Sequence, residues 1–246
     1  MRAFAGLAIA LLVFACDKPT TPTHATPDGS SAPAADLEPD PAEAGSEAEL
    51  GTPFADAQLF FELNATDNDL GLQLFVDHEG WKRLRVLDPR RRDLLLIAAA
   101  GRLARLGITE LRFESEEPEP EEVLALFPPG EYRFRGKTVE GEYLATNVRL
   151  SHELPPAPTF TPSGGALVDR RDAVVEWSAP GAELVEIILE SDELDDVLDV
   201  TLSGPGRRLR IPSQFLRPGV EYKIEVIAIA ESGNRSLAES TFRVRK

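Results

Sequence analysis

Few residues in this 246-residue chain have types and spacing that could do chemistry. There is one cysteine, Cys16, so an intramolecular disulfide, a CxxC redox pair and a cysteine zinc cage are all excluded. The three histidines, His24, His78 and His152, are widely separated, and no HExxH pair is present. There is no GxSxG elbow, no SxxK, and no glycine-rich phosphate loop following a strand pattern. Spacing alone leaves open a Ser-His-Asp site around His78 or His152, because triads assemble in space. Paired carboxylates stay open too, but 42 acidic residues make any chosen pair uninformative. The segment from Glu62 to Gly71 offers hard oxygen donors in Asn64, Asp67 and Asp69, with Glu62 or Asp77 nearby, a set that suits calcium. It is not an EF-hand. Counting from Asp67, Gly71 falls fifth and His78 twelfth, where a glutamate is needed. Asn, Asp and Gly are also the usual turn formers, so a plain turn is the competing reading. Trp81, beside Lys82 and Arg83, is either an exposed binding platform for a sugar or peptide or a core anchor.

Composition narrows the partners. The formal charge is −16, so phosphate backbones are repelled and nucleic acid is a poor partner. Lys82, Arg83, Arg85 and Arg90 to Arg92 form a basic stretch, and Glu114 to Glu122 an acidic one, both read as solvated surfaces. Residues 1–15 carry Arg2 and then an apolar run too short to span a bilayer, which takes about 20 residues, so they read as a signal peptide. Val13-Phe14-Ala15-Cys16 resembles the bacterial lipobox, although Phe14 is bulkier than the usual residue there. The resemblance implies cleavage before Cys16 and acylation of it, which anchors the chain to a membrane. Asp17 resembles the inner-membrane retention signal of enteric bacteria, but other lineages differ, and inner and outer membrane both stay open. Residues 16–51 are rich in Pro, Ala, Thr, Ser and acids, lack hydrophobic periodicity, and read as a disordered tether.

The elements that would position these residues are strands, so the fold class is all-β. Residues 52–154 read as a β-sandwich-like domain. Leu72, Leu74 and Val76 alternate with Gln73, Phe75 and Asp77, a turn is expected at Asp77 to Gly80, and Trp81 to Leu87 resumes an extended pattern. Leu94 to Ala100 is a continuous apolar run that suits a strand buried on both faces. Tyr132 and Phe134 alternate with Arg133 and Arg135, and Glu140-Gly141 marks a hairpin into Tyr143 to Leu150. One short helix is expected, opened by Pro120, with Val123, Leu124 and Leu126 as its apolar side and Pro128-Pro129-Gly130 as its stop.

Residues 155–246 follow a Pro-rich junction and read as a second sandwich. Ala173, Val175 and Trp177 share a face, as do Val185, Ile187 and Leu189, and Tyr222, Ile224, Val226 and Ala228. The early apolar-x-apolar-x-Trp strand and the corner of Leu216, Pro218, Gly219 and Tyr222 resemble fibronectin type III. That resemblance implies an immunoglobulin-like sandwich whose corner tyrosine bonds to backbone upstream. In animal members the loop between the last two strands carries Arg-Gly-Asp. Here it is Ser232-Gly233-Asn234-Arg235-Ser236, so integrin binding does not transfer.

The expectation is therefore a bacterial, lipid-anchored binding protein of the cell envelope with its folded part outside the cytoplasm. It needs no cofactor and its partner is an envelope protein or glycan. A calcium-stabilised carbohydrate-binding accessory protein comes second and an unrecognised hydrolase third.

Overall fold

A computed structural model describes residues 51–203 and 207–246. The leader, Cys16 and residues up to 50 lie outside the described residues, as does the expected Gly204-Pro205-Gly206 turn. The N-terminal half contains β1 (Asp56–Asn64), β2 (Asp69–Leu87), β3 (Asp93–Ala98), α1 (Leu103–Leu106), β4 (Ile108–Glu114), α2 (Pro120–Leu126), β5 (Gly130–Thr138) and β6 (Tyr143–Leu150). No turn interrupts β2 at Asp77 to Gly80. The strand instead changes partners there. Its first part lies between β1 and β4, and its second part lies between β3 and β5, with β6 beyond. Trp81 sits at the changeover, paired with both Ile108 and Thr138, and is fully buried. A strand that swaps neighbours leaves a corner to fill, and the largest side chain fills it. Gly80 and Gly107 permit the fold-over, since a Cβ on Gly107 would lie 2.7 Å from the Gly80 Cα.

Three expectations need correction. In the run from Leu94 to Ala100, Leu94 to Ile97 are only half-buried and Ala98 and Ala100 are exposed, because β3 pairs with β2 alone. There are two short helices rather than one, and α1 buries none of its residues. In α2, Pro120 opens the helix and Val123 enters the core, but Leu126 is 68% exposed.

The C-terminal half contains β7 (Thr159–Thr161), β8 (Ala166–Val168), β9 (Val174–Ser178), β10 (Leu184–Ser191), β11 (Leu194–Ser203), β12 (Arg208–Arg210), β13 (Glu221–Ile229) and β14 (Arg235–Val244). A three-stranded sheet, β12-β9-β7, faces the β11-β10-β13-β14 sheet across a core of Val175, Trp177, Ile187, Tyr222, Ile224, Val226 and Phe242. Strand β8 leaves the first sheet's edge to pair in parallel with β14. The Arg217 amide donates to the Tyr222 hydroxyl at 2.8 Å, which is the corner the sequence pattern implies. This half is a fibronectin type III-like sandwich by strand order as well as by sequence pattern.

The two cores are joined by hydrogen-bonded sheet. Strand β1 pairs in parallel with β14, matching Glu62 with Arg235, Leu63 with Ser236 and Asn64 with Leu237. One sheet of eleven strands therefore runs through both halves. Its seam is held by Asn234, which is 1% exposed. The Asn234 Oδ1 accepts from the Phe61 amide at 2.9 Å. Its Nδ2 donates to the carbonyls of Ser151 and Glu153 at 2.8 and 2.9 Å. Next to it, the Ser236 hydroxyl donates to the Pro155 carbonyl at 2.6 Å. One buried side chain thus satisfies three backbone groups that no strand partner reaches.

Replacing Asn234 by alanine strands those three groups, so Asn234→Ala is expected to cost about 2–4 kcal/mol. Urea denaturation would show it as a lower midpoint. A loss below about 1 kcal/mol would mean water replaces the amide and the seam does not depend on it.

Candidate interaction face

The residues singled out from sequence do not converge. The Asn64 Oδ1 accepts from the amides of Thr66 and Asp67 at 2.9 and 3.3 Å, and its Nδ2 donates to the Asp67 Oδ2 at 3.2 Å. With Asn68 at φ 61°, this closes the β1–β2 hairpin as a side-chain-capped turn. Both lone pairs of the Asn64 oxygen are thereby taken, which removes the amide oxygen that a calcium site in this loop would use. Among the described residues no group of three acidic, histidine or cysteine side chains is placed to hold a metal. Trp81 offers no face to a ligand, because it is enclosed in the N-terminal core. The His78 Nδ1 accepts from the Ala55 amide at 3.2 Å. The His152 Nε2 donates to the Phe127 carbonyl at 2.8 Å, since a carbonyl can only accept. Both rings thus bond to backbone groups of the N-terminal half.

Two shallow pockets, of 240 and 280 Å³, fall below the size of ordinary small-molecule sites. The more distinctive feature is a surface. Alternation along each strand puts every second side chain of the large sheet on the face away from both cores. The strand register then lines up Glu114 of β4, Asp69 and Gln73 of β2, Glu62 of β1, Arg235 and Glu239 of β14, Lys223 and Glu225 of β13, and Glu186 and Glu190 of β10. Glu117 joins them from the loop after β4. It lies over Gly71, where a Cβ would meet its Oε1 at 2.8 Å. Six strands at about 4.8 Å spacing make this face about 24 Å wide from first strand to last.

Among the described acids, every one whose affinity for a proton is raised lies on this face. Burial, then the charges of Glu114, Glu186 and Glu225, push Glu62 up to about 7 despite Arg235 beside it. Burial and the neighbours Glu114, Asp69 and Glu62 push Glu117 up to about 7 as well. Asp69 is raised by burial and by Asp67 and Glu239, and its Oδ1 is buried with no hydrogen-bond partner. Glu186 is raised by burial and Asp199 against the pull of Arg235, and Glu190 by burial and Glu225 against Lys223. Burial pulls the Lys223 ammonium down, but its bonds to Glu225 at 2.8 Å and Glu239 at 2.7 Å hold it above its ordinary value.

The cations on this face are shared. Arg235 lies 3.4 Å from Glu186, 3.7 Å from Glu62 and 4.5 Å over the Phe60 ring. It thus joins β1, β10 and β14 on the solvent side of the same seam that Asn234 closes from within. Sequence reading missed the surface because its members come from strands scattered between residues 62 and 239. The signal that could have found them is polar alternation with Phe60, Phe75, Ile227 and Leu237, which are apolar at outward positions.

No protein-family model matches the chain, and no curated protein matches it. Among solved structures it is similar to the chicken CNTN1 FN1–FN3 domains at 13% identity and a TM-score of 0.35, covering 78% of this chain and 66% of that one. It is also similar to a two-domain fibronectin type III segment of chicken tenascin at 14% identity and a TM-score of 0.29, covering 76% and 97%. A biofilm-associated protein BSP domain shows 15% identity and a TM-score of 0.26, covering 78% and 29%. The chain thus spans just under two thirds of the CNTN1 segment and under a third of the biofilm protein.

Raised carboxylates fix the pH dependence. A carboxyl near 7 in the folded state and 4.5 in the unfolded one stabilises the fold fully below about 4.5, and that stability is lost as pH rises through 7. The unfolding free energy from urea denaturation should therefore be higher at about pH 5 than at about pH 8, by on the order of 1–3 kcal/mol, with a matching rise in the midpoint. Glu62→Gln should flatten that slope and raise the midpoint at the higher pH. A midpoint that rises with pH across this window contradicts the crowding. Separately, Gly71→Ala should displace the flexible end of Glu117 at little cost in stability and lower its titration midpoint, read by carboxyl-carbon NMR.

Proposed function

We propose that the chain is an exported, lipid-anchored binding protein of the cell envelope whose recognition surface is the acidic face across the seam. Its partner is a positively charged protein segment. The observation that carries this reading is the clustering of all five raised carboxylates, Glu62, Asp69, Glu117, Glu186 and Glu190, on one face. Carboxylates that oppose one another's ionisation gain when a cation arrives, so a lysine or arginine side chain binds where the face is least satisfied. Neighbouring strands present these groups about 4.8 Å apart, a spacing that an extended basic segment can follow. The lipobox-like residues ending at Cys16 support the anchor, and the Pro-rich, acidic stretch after them supports a stalk. Among the described residues no helix is long and apolar enough to cross a membrane.

A lysine-rich peptide titrated into the protein should bind more tightly at about pH 8 than at about pH 5.5, by about tenfold, because the carboxylates ionise over that range. Glu62→Gln together with Glu186→Gln should weaken binding and remove most of the pH dependence. Binding that ignores both pH and these substitutions would overturn the assignment. The anchor is tested separately by palmitate labelling, which Cys16→Ala should abolish.

A further inference from the structure

Two stretches of the chain have the spacing of an N-glycosylation acceptor, an asparagine followed by any residue but proline and then by serine or threonine. They are Asn64-Ala65-Thr66 and Asn234-Arg235-Ser236. The fold separates them. Asn234 is 1% exposed and its Nδ2 donates to two backbone carbonyls, so a sugar there would break the seam. Asn64 ends β1 at a turn whose Ala65, Thr66, Asp67 and Asn68 are all exposed. Leu63 packs against the N-terminal core, so Asn64 beside it points to the solvent side of the sheet. The Asn64 Oδ1 accepts from the Thr66 and Asp67 amides and so holds the turn. Its Nδ2 gives one hydrogen to Asp67, and the other has no protein partner among the described residues. A glycosyl bond replaces one N–H and leaves the second, so the turn can persist with a sugar attached. The flanking residues separate the two stretches again. Glu62 stands two positions before Asn64, whereas Ser232 stands two positions before Asn234. The bacterial form of the reaction requires an acid at that place.

We infer that Asn64 is an N-glycosylation site. The donor is an oligosaccharide carried on a lipid pyrophosphate. The Asn64 Nδ2 attacks the anomeric carbon of the first sugar, and the bond from that carbon to the pyrophosphate oxygen breaks. Lipid pyrophosphate leaves with the electron pair, and the transferase takes the displaced Nδ2 proton. Transfer precedes the pairing of β1 with β14, because afterwards the Glu62 side chain lies beside Arg235 and is only 18% exposed. The finished glycan projects from the end of the β1–β2 hairpin, where the exposed turn leaves it room. The inference rests on the export reading, since this donor is presented outside the cytoplasm, and not on the acidic-face reading.

The test produces the full-length chain in a bacterium supplied with an acid-requiring oligosaccharyltransferase and its lipid-linked oligosaccharide. A second version carries the leader of an unrelated exported protein in place of residues 1–15. The mass of the exported chain should rise by one glycan, and peptide sequencing should place it on Asn64. Asn64→Gln, Thr66→Ala and Glu62→Gln should each lose the glycan, and Thr66→Ser should keep it. The glycosylated chain should still melt cooperatively. A glycan on the exchanged-leader version but not on the native one would sink the export reading and leave the acceptor site standing. The proposal is overturned if neither version is modified while a control acceptor in the same cells is. It is equally overturned if the glycan survives Asn64→Gln, sits on Asn234, or abolishes cooperative melting.

Discussion

The fold of this protein depends on a seam three residue pairs long. Strand β1 would be an open edge of the N-terminal sheet, with amides and carbonyls facing water, were it not paired with β14. The pairing is short, and backbone pairing alone would be a weak hinge. Asn234 turns it into a joint, because its amide occupies a buried position where the Phe61 amide and the carbonyls of Ser151 and Glu153 all need partners. A polar group buried here without partners would cost stability, so once the amide is enclosed it holds all three segments in one arrangement. The loop that in the animal fibronectin type III family presents an adhesion tripeptide is here turned inward to hold the rest of the molecule.

A continuous sheet has a consequence for charge. Two separate sandwiches would each distribute their surface acids around four faces. One shared sheet places the outward residues of β1, β10, β13 and β14 side by side, and their carboxylates lie close enough to oppose one another's ionisation. Arg235 and Lys223 offset part of that repulsion. Where β2 has changed partners and left the shared face, its outward Arg83 and Arg85 stand beside Lys137 and Arg135 of β5.

How much of this was legible in the sequence follows from the range of each interaction. The C-terminal half was readable because its signals are local. The alternation of Tyr222, Ile224, Val226 and Ala228, and the Leu216 to Tyr222 corner, lie within 13 residues of chain, and the structure uses them as the pattern implies. The helix at Pro120 was readable for the same reason, since proline and acids at a helix start act within one turn. The β2 bend was not. Polar residues at Asp77 to Gly80 look like a turn locally, and only the positions of β4 and β5 make them a change of partner. Asn234 reads as a turn residue, and its 173-residue separation from Phe61 leaves no local trace. Asn64 and Asp67 read equally as metal ligands or as a turn, and the deciding fact is which amides point at the Asn64 oxygen.

Backbone ¹⁵N relaxation on the described region tests the central claim most directly, because it asks whether the two cores tumble as one body. If the seam joins them, amides of β5 and β6 and amides of β10 and β13 will fit one rotational diffusion tensor with a single correlation time. Two distinct correlation times, each near that of a body of about 100 residues, would show that the halves move independently and that no shared face exists.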